Sequence, residues 1–161
     1  MSRPAVCFVC LGNICRSPTA EGVFRHLLEA AELGAAIEVD SAGTGAWHVG
    51  ERPDERSRTV AGWKGITVDG AARQFVASDF VRFDWVIALD RKNAADLRRL
   101  APDDEAASKI RLLREFDPEA GRDLDVPDPY YGGPDGFQNV LAICERGCVG
   151  LLEAMRERHD L

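Results

Sequence analysis

Apolar residues run unbroken from Ala5 through Val9, and the spacing then changes: Ala20, Val23, Phe24, Leu27, Leu28 and Ala31 fall on one helical stripe. The first pattern predicts a strand buried on both faces, the second an amphipathic helix. Gly34 is expected to end that helix, and Ile37 to Ser41 alternates as a strand should. Ala42 to Gly50 is too glycine-rich for regular structure and predicts a long loop. Pro53-Asp54 opens a helix running to about Trp63 and stopped near Gly65. Ser78-Asp79 opens a short helical turn before the apolar strand Trp85 to Leu89, with Asp90 at its end. A helix follows with Ala94, Leu97 and Leu100 facing inward, ending near Pro102, and Ile110 to Leu113 is a fourth strand candidate. After a proline- and aspartate-rich stretch, a last helix begins at Gly136, its stripe made by Phe137, Val140, Leu141, Cys144, Cys148, Leu151, Leu152 and Met155.

Strands and helices therefore alternate, which predicts a single α/β domain over 1–161 with a mostly parallel sheet covered by helices on both faces. In such folds the site lies beyond the C-terminal ends of the strands. Cys10, Ser41 and Asp90 all stand at such ends and can converge.

Composition narrows the partners. A chain of 161 residues with a net charge of −7 argues against nucleic acid or an anionic membrane as the main partner. The longest apolar run, Ala5 to Leu11, is too short to span a bilayer and no leader pattern precedes it, so a cytoplasmic location is expected. The five cysteines fit neither a disulfide framework nor a zinc site. Cys7 falls in a strand, and Cys144 and Cys148 read as helix core. His26, His48 and His159 are scattered without ligand spacing, so neither a metal nor another cofactor is expected.

The chemistry concentrates between the first strand and the first helix, in Val9-Cys10-Leu11-Gly12-Asn13-Ile14-Cys15-Arg16-Ser17-Pro18. Ser17 suits an N-cap and Pro18 the first helical position. A loop ending on a helix N-terminus, with Gly12 for close backbone approach and Asn13 tolerant of positive φ, predicts a nest for an anion. Arg16 adds a planar two-pronged donor suited to a tetrahedral oxyanion. Cys10 stands at its mouth. A thiol with the ordinary pKa of ~8.5 is only a few per cent thiolate at neutrality, and ionising it fully takes roughly three units, or about 4 kcal/mol. A helix dipole supplies only ~0.3–2 kcal/mol. Arg16 and the loop N–H groups must provide the remainder, so the phosphate cradle is also what activates the nucleophile.

This decapeptide, a Cys-x5-Arg loop between a strand and a helix, resembles the signature of the low-molecular-weight protein tyrosine phosphatases. The resemblance implies a four-stranded, flavodoxin-like parallel sheet. It further implies hydrolysis of phosphotyrosine monoesters through a phosphocysteine, with phosphotyrosine proteins as partners and phosphate or other oxyanions as inhibitors. Cys10 is then the nucleophile, and Arg16 with the N–H groups from Leu11, Gly12, Asn13, Ile14 and Cys15 to Ser17 holds the phosphoryl oxygens. Ser17 is expected both to cap the helix and to donate to the Cys10 thiolate.

Expelling a phenolate needs a placed acid, worth ~10²–10⁴-fold in rate. Asp128 in Asp128-Pro129-Tyr130-Tyr131 is either that acid or simply the start of a turn. The family places its general acid in such an Asp-Pro-Tyr, which assigns Asp128 that role by resemblance. The family likewise uses a serine at the position of Ser41 to steady the Asn13 side chain, against the plain reading of a strand-end serine. Asp90 either orients Arg16 or caps the helix that begins at Arg91. Trp47, Tyr130 and Tyr131 either wall a slot deep enough for phosphotyrosine or fold back as satellite packing, and the resemblance favours the slot. It also offers Cys15 as a reversible disulfide partner for Cys10, against a small buried residue lining the nest.

Two family histidines are missing, at Lys64-Gly65 and at Gly70-Ala71-Ala72-Arg73, and the second normally supports the Asn13 network. Two alternatives remain: an arsenate reductase on the same fold, which needs two further cysteines on a flexible segment, and a non-catalytic phosphotyrosine-binding module.

Overall fold

The computed structural model describes residues 3–130, 133 and 135–161. Four strands, β1 (Ala5–Cys10), β2 (Glu38–Gly43), β3 (Trp85–Ala88) and β4 (Ile110–Leu112), form one sheet in the order β2-β1-β3-β4 with all pairings parallel. The helices are α1 (Arg16–Ala30), α2 (Glu55–Gly62), α3 (Asp79–Arg82), α4 (Arg91–Leu100), α5 (Asp104–Ser108) and α6 (Asp135–His159). Every residue of β1 is buried because both faces of the sheet are covered. Val6, Phe8 and Cys10 point into a core shared with Val23, Phe24 and Leu28 of α1 and with Cys144, Cys148 and Leu151 of α6. Ala5, Cys7 and Val9 point into a second core closed by Phe80, Ala94, Leu97 and Ala106. The unbroken apolar run is thus two interleaved strand faces, each meeting its own layer.

The register of this sheet sets the site. Val9 pairs with both Ala42 and Ala88, and Cys10 pairs with Gly43, so the C-terminal ends of the three strands come level at one edge. A Cβ on Gly43 would lie 2.7 Å from the Leu11 carbonyl oxygen, so only glycine lets β2 run this close to the loop after β1. Pairing carries β2 two residues past Ser41, into the expected loop.

Several local expectations are corrected. Helix α1 starts at Arg16, one residue before the predicted cap; its N-cap Cys15 makes no side-chain cap, and the Ser17 hydroxyl expected to cap it is engaged with Cys10. The chain leaves α1 at Ala31, and the left-handed residue there is Glu32 (φ 60°), before Gly34 is reached. Asp54 lies outside α2 as its N-cap, accepting from the Arg56 N–H at 2.8 Å. Leu100 is exposed: it is the last residue of α4, and the apolar stripe ends with Leu97. Leu113 leaves β4 and opens a 3₁₀ turn through Phe116, though its side chain stays in the core. Helix α5 has only one buried residue, Ala106, too weak a stripe to be seen in the sequence.

Candidate active site

Cys10 is the last residue of β1, and the chain then turns through Asn13 at φ 58° before entering α1. The turn brings the Asn13 backbone N–H to 3.3 Å from the Cys10 sulfur. The hydroxyl of Ser17, the second residue of α1, lies 2.9 Å from the same atom. Ser17 is also an acceptor, from Asn13 Nδ2 at 2.8 Å, and its own proton faces two acceptors, the Cys10 sulfur and, more distantly at 3.4 Å, the Ala42 carbonyl.

Asn13 is itself held from both ends. Nδ2 donates to Ser41 Oγ at 3.0 Å, and Oδ1 accepts the Arg73 backbone N–H at 3.0 Å. Ser41 Oγ in turn donates to Glu21 Oε1 at 2.6 Å. Ser41, within β2, therefore bonds Asn13, and a main-chain donor at Arg73 together with the Glu21 carboxylate completes the network. Neither Glu21 nor Arg73 was visible as a site residue in the sequence.

Arg16 is 4 % exposed and tightly anchored. Its Nη1 donates to Asp90 Oδ2 at 2.6 Å and to the Val126 carbonyl at 3.1 Å. Burial works against the guanidinium charge, but Cys10, Asp90 and Asp128 outweigh it and hold the Arg16 pKa above its usual value. Asp90 Oδ1 meanwhile accepts the Asn93 N–H at 2.7 Å and caps α4. Asp90 thus touches both Arg16 and the start of α4, one with each oxygen.

Cys10, Leu11, Gly12, Ile14, Cys15 and Arg16 line a cavity of about 330 Å³, with Trp47, His48, Asp128 and Tyr130 forming the rest of its lining. The side chains of Asn13 and Ser17 face the network behind the sulfur instead. Asp128 Oδ2 is 3.8 Å from Arg16 Nη2, and Oδ1 accepts the Tyr130 N–H at 3.0 Å. Asp128 thus starts a turn and also presents a carboxylate to the cavity. Trp47 is 73 % exposed, curled over Gly45, where a Cβ would strike its ring at 2.0 Å. The loop carrying it is sewn to the cradle by Thr44 N–H to Cys10 carbonyl and Gly45 N–H to Leu11 carbonyl, both 2.9 Å. Tyr131 lies outside the described residues.

His48 joins the lining unannounced by the sequence, its Nδ1 2.9 Å from Glu51 Oε2 and its ring 6.3 Å from that of Tyr130. Its only signal was its place beside Trp47. The remaining thiols are quieter. Burial above all, then the Asp54 and Cys10 charges, push Cys15 up to about 12. Cys144 and Cys148 are fully buried on α6. Among the described residues no three His, Cys, Asp or Glu side chains are grouped to hold a metal ion, and no helix is long and apolar enough to cross a membrane.

Comparisons with known proteins point to one family. The family profile described as low molecular weight phosphotyrosine protein phosphatase matches residues 5–160. A low molecular weight protein-tyrosine-phosphatase of Streptomyces coelicolor is 57% identical over 154 residues, covering 95% of this chain and 94% of that protein. The low molecular weight protein-tyrosine phosphatase A of Mycobacterium tuberculosis is 46% identical over 160 residues, covering 98% and 96%. The crystal structure of a protein tyrosine phosphatase from Entamoeba histolytica with Hepes in the active site superposes with a TM-score of 0.91 at 39% identity, covering 98% of this chain and 99% of that one. With the profile spanning nearly its whole length and relatives this close, the chain belongs to the low-molecular-weight phosphotyrosine protein phosphatase family.

Proposed function

We propose that the chain hydrolyses phosphotyrosine in proteins through a phosphocysteine formed on Cys10. The observation that carries this is one cavity lined at once by a sulfur facing two donors, a clamped guanidinium and a carboxylate. The Cys10 thiolate attacks phosphorus, an S–P bond forming as the bond to the phenolic oxygen breaks. Asp128, protonated at the start, gives its proton to that oxygen. A water then attacks phosphorus, Asp128 takes back a proton, and the sulfur leaves as thiolate with release of inorganic phosphate.

Arg16 has Nη1 committed to Asp90 and Val126, so its Nε/Nη2 edge is the one offered to the equatorial oxygens. The backbone N–H groups of the loop from Leu11 to Ser17 complete the cradle. Because these donors are fixed before substrate arrives, little reorganisation is needed as charge shifts in the transition state. Trp47 and Tyr130 give the slot flat walls that accept an aromatic ring and hold it at the depth of the sulfur. A phosphoserine, with a shorter reach, leaves its phosphate above the floor. The arsenate-reductase alternative lacks its relay, since Cys144 and Cys148 sit in the core of a helix.

The test is turnover of phosphotyrosine, phosphoserine and phosphoarginine peptides by the wild type, Cys10→Ser and Asp128→Asn. Phosphotyrosine alone should be cleaved efficiently, Cys10→Ser should be inactive, and Asp128→Asn should lose ~10²–10⁴-fold in rate. Turnover by Cys10→Ser, or equal rates on the three peptides, would refute the reading.

A further inference from the structure

The cavity has a neighbour. On the other side of Arg56 lies a cleft of about 290 Å³ lined by Glu55, Arg56, Thr59, Val60, Trp63 and Phe137. Trp63 is 68 % exposed, whereas Trp85, away from this surface, is buried with its indole N–H bonded to His159. A large indole left in water beside an apolar ring marks a surface built for contact.

The residues between the two spaces are tied together. Asp54 donates its N–H to the Ile14 carbonyl of the cradle at 2.7 Å, and its carboxylate grips Arg56 through Nε at 3.0 Å and Nη2 at 2.9 Å. The guanidinium so held lies 4.5 Å from the centre of the Phe137 ring and 5.6 Å from that of Tyr130. Arg56 thus stands between Tyr130, which lines the first cavity, and Phe137, which lines the cleft.

We propose that the cleft is an accessory substrate subsite that receives an apolar side chain of the phosphoprotein close in sequence to the phosphotyrosine. This rests on the phosphotyrosine reading above. The occupant is a segment of the same substrate polypeptide because Arg56 of the cleft packs on Tyr130 of the slot, and Asp54, which holds Arg56, is bonded to the cradle at Ile14. Its lining of Trp63, Val60 and Phe137 selects an apolar side chain, and Arg56, already neutralised by Asp54, offers no strong pull on an acidic one. Trp63 thereby sets sequence preference without touching the phosphorus.

The experiment compares kcat/KM for phosphotyrosine peptides in which each position within three residues of the phosphotyrosine is changed in turn from alanine to leucine. Wild type, Trp63→Ala and Thr59→Glu are measured alongside their mass in solution by light scattering. In the wild type, leucine at one position should raise kcat/KM about tenfold, as part-burial of such a side chain implies. Both variants should bring that ratio close to one. A wild-type ratio near one at every position, or a preference that survives in both variants, overturns the subsite while leaving the phosphatase reading intact. A change of mass in Trp63→Ala with no change of ratio assigns the cleft to self-association and also overturns it. No hydrolysis of any peptide would instead remove the phosphotyrosine reading and the subsite with it.

Discussion

Asp90 is the place where fold and chemistry share one side chain, and that makes the two separable by mutation. In Asp90→Ala the buried Arg16 guanidinium loses its 2.6 Å partner and α4 loses its cap. Breaking a buried ion pair typically costs about 3–5 kcal/mol, and losing an Asp N-cap about 1 kcal/mol. The Val126 carbonyl still accepts from Nη1, and Asp128 remains 3.8 Å from Nη2, so part of the charge stays compensated. The expected net loss is about 3 kcal/mol, or a fall in Tm of roughly 6–12 °C for a domain of this size. Asp90→Asn keeps an oxygen for the Asn93 N–H but turns an amide NH₂ toward the guanidinium, so it preserves the cap and abolishes the clamp.

The two variants should therefore match in activity and differ in stability. With Arg16 free to tilt, kcat should fall about 10²-fold in both, the low end of the ~10²–10³ cost of losing one oxyanion donor. Thermal unfolding should place Asp90→Asn above Asp90→Ala by about 1 kcal/mol, the value of the cap. Steady-state kinetics on an aryl phosphate, inhibition by inorganic phosphate and calorimetry supply the numbers. An Asp90→Asn enzyme with wild-type kcat and wild-type phosphate affinity would show that Asp90 is a cap alone and that the clamp on Arg16 is idle.

Four further outcomes follow from other parts of the molecule. Ser41→Ala removes one hydrogen bond from Asn13, worth about 0.5–1.5 kcal/mol, and should lower kcat roughly 2–12-fold with little change in KM; an unchanged kcat would detach the network from the sulfur. Gly150→Ala places a Cβ 2.0 Å from the Phe116 carbonyl oxygen and should destabilise by at least about 3 kcal/mol with kcat preserved in whatever folds, which denaturant titration measures. Cys15, held up to about 12, is a thiol at neutrality, and its thiolate fraction rises about tenfold per pH unit below that value. After peroxide treatment, closure of a Cys10–Cys15 disulfide should therefore accelerate as pH rises from 6 to 9, and mass spectrometry showing a flat rate would contradict this. Trp47→Ala should raise KM for aryl phosphates about tenfold and leave alkyl phosphates unaffected.

What the sequence disclosed was whatever is encoded locally. The apolar run into Cys10, the glycine and asparagine of the turn and the arginine at the helix start lie within a dozen residues, and each carries its own physical signal. Asp128 carried an ambiguous one, since an Asp-Pro pair reads as a turn whether or not it faces a cavity, and in the structure it does both. Long-range partners were hidden. Asn13 is braced by Ser41, 28 positions away, and by the backbone of Arg73, 60 away, and a main-chain donor leaves no trace in residue type. Ser17 was misplaced as a cap because cap preference is judged from neighbours, whereas here the Cys10 sulfur competes for the hydroxyl and wins. Leu100 extended a stripe by one turn too many because periodicity does not register where a helix stops.

Cys10 closes a central strand paired on both sides, while Asp128 hangs from a stretch between Phe116 and α6 that carries neither helix nor strand among its described residues. Under the proposed mechanism the nucleophile thus inherits the stiffness of the whole sheet, and the proton donor hangs from a connecting segment. If that mechanism holds, changes in this segment would alter how the leaving group is protonated while the sulfur stays where it is, without rebuilding the reactive centre.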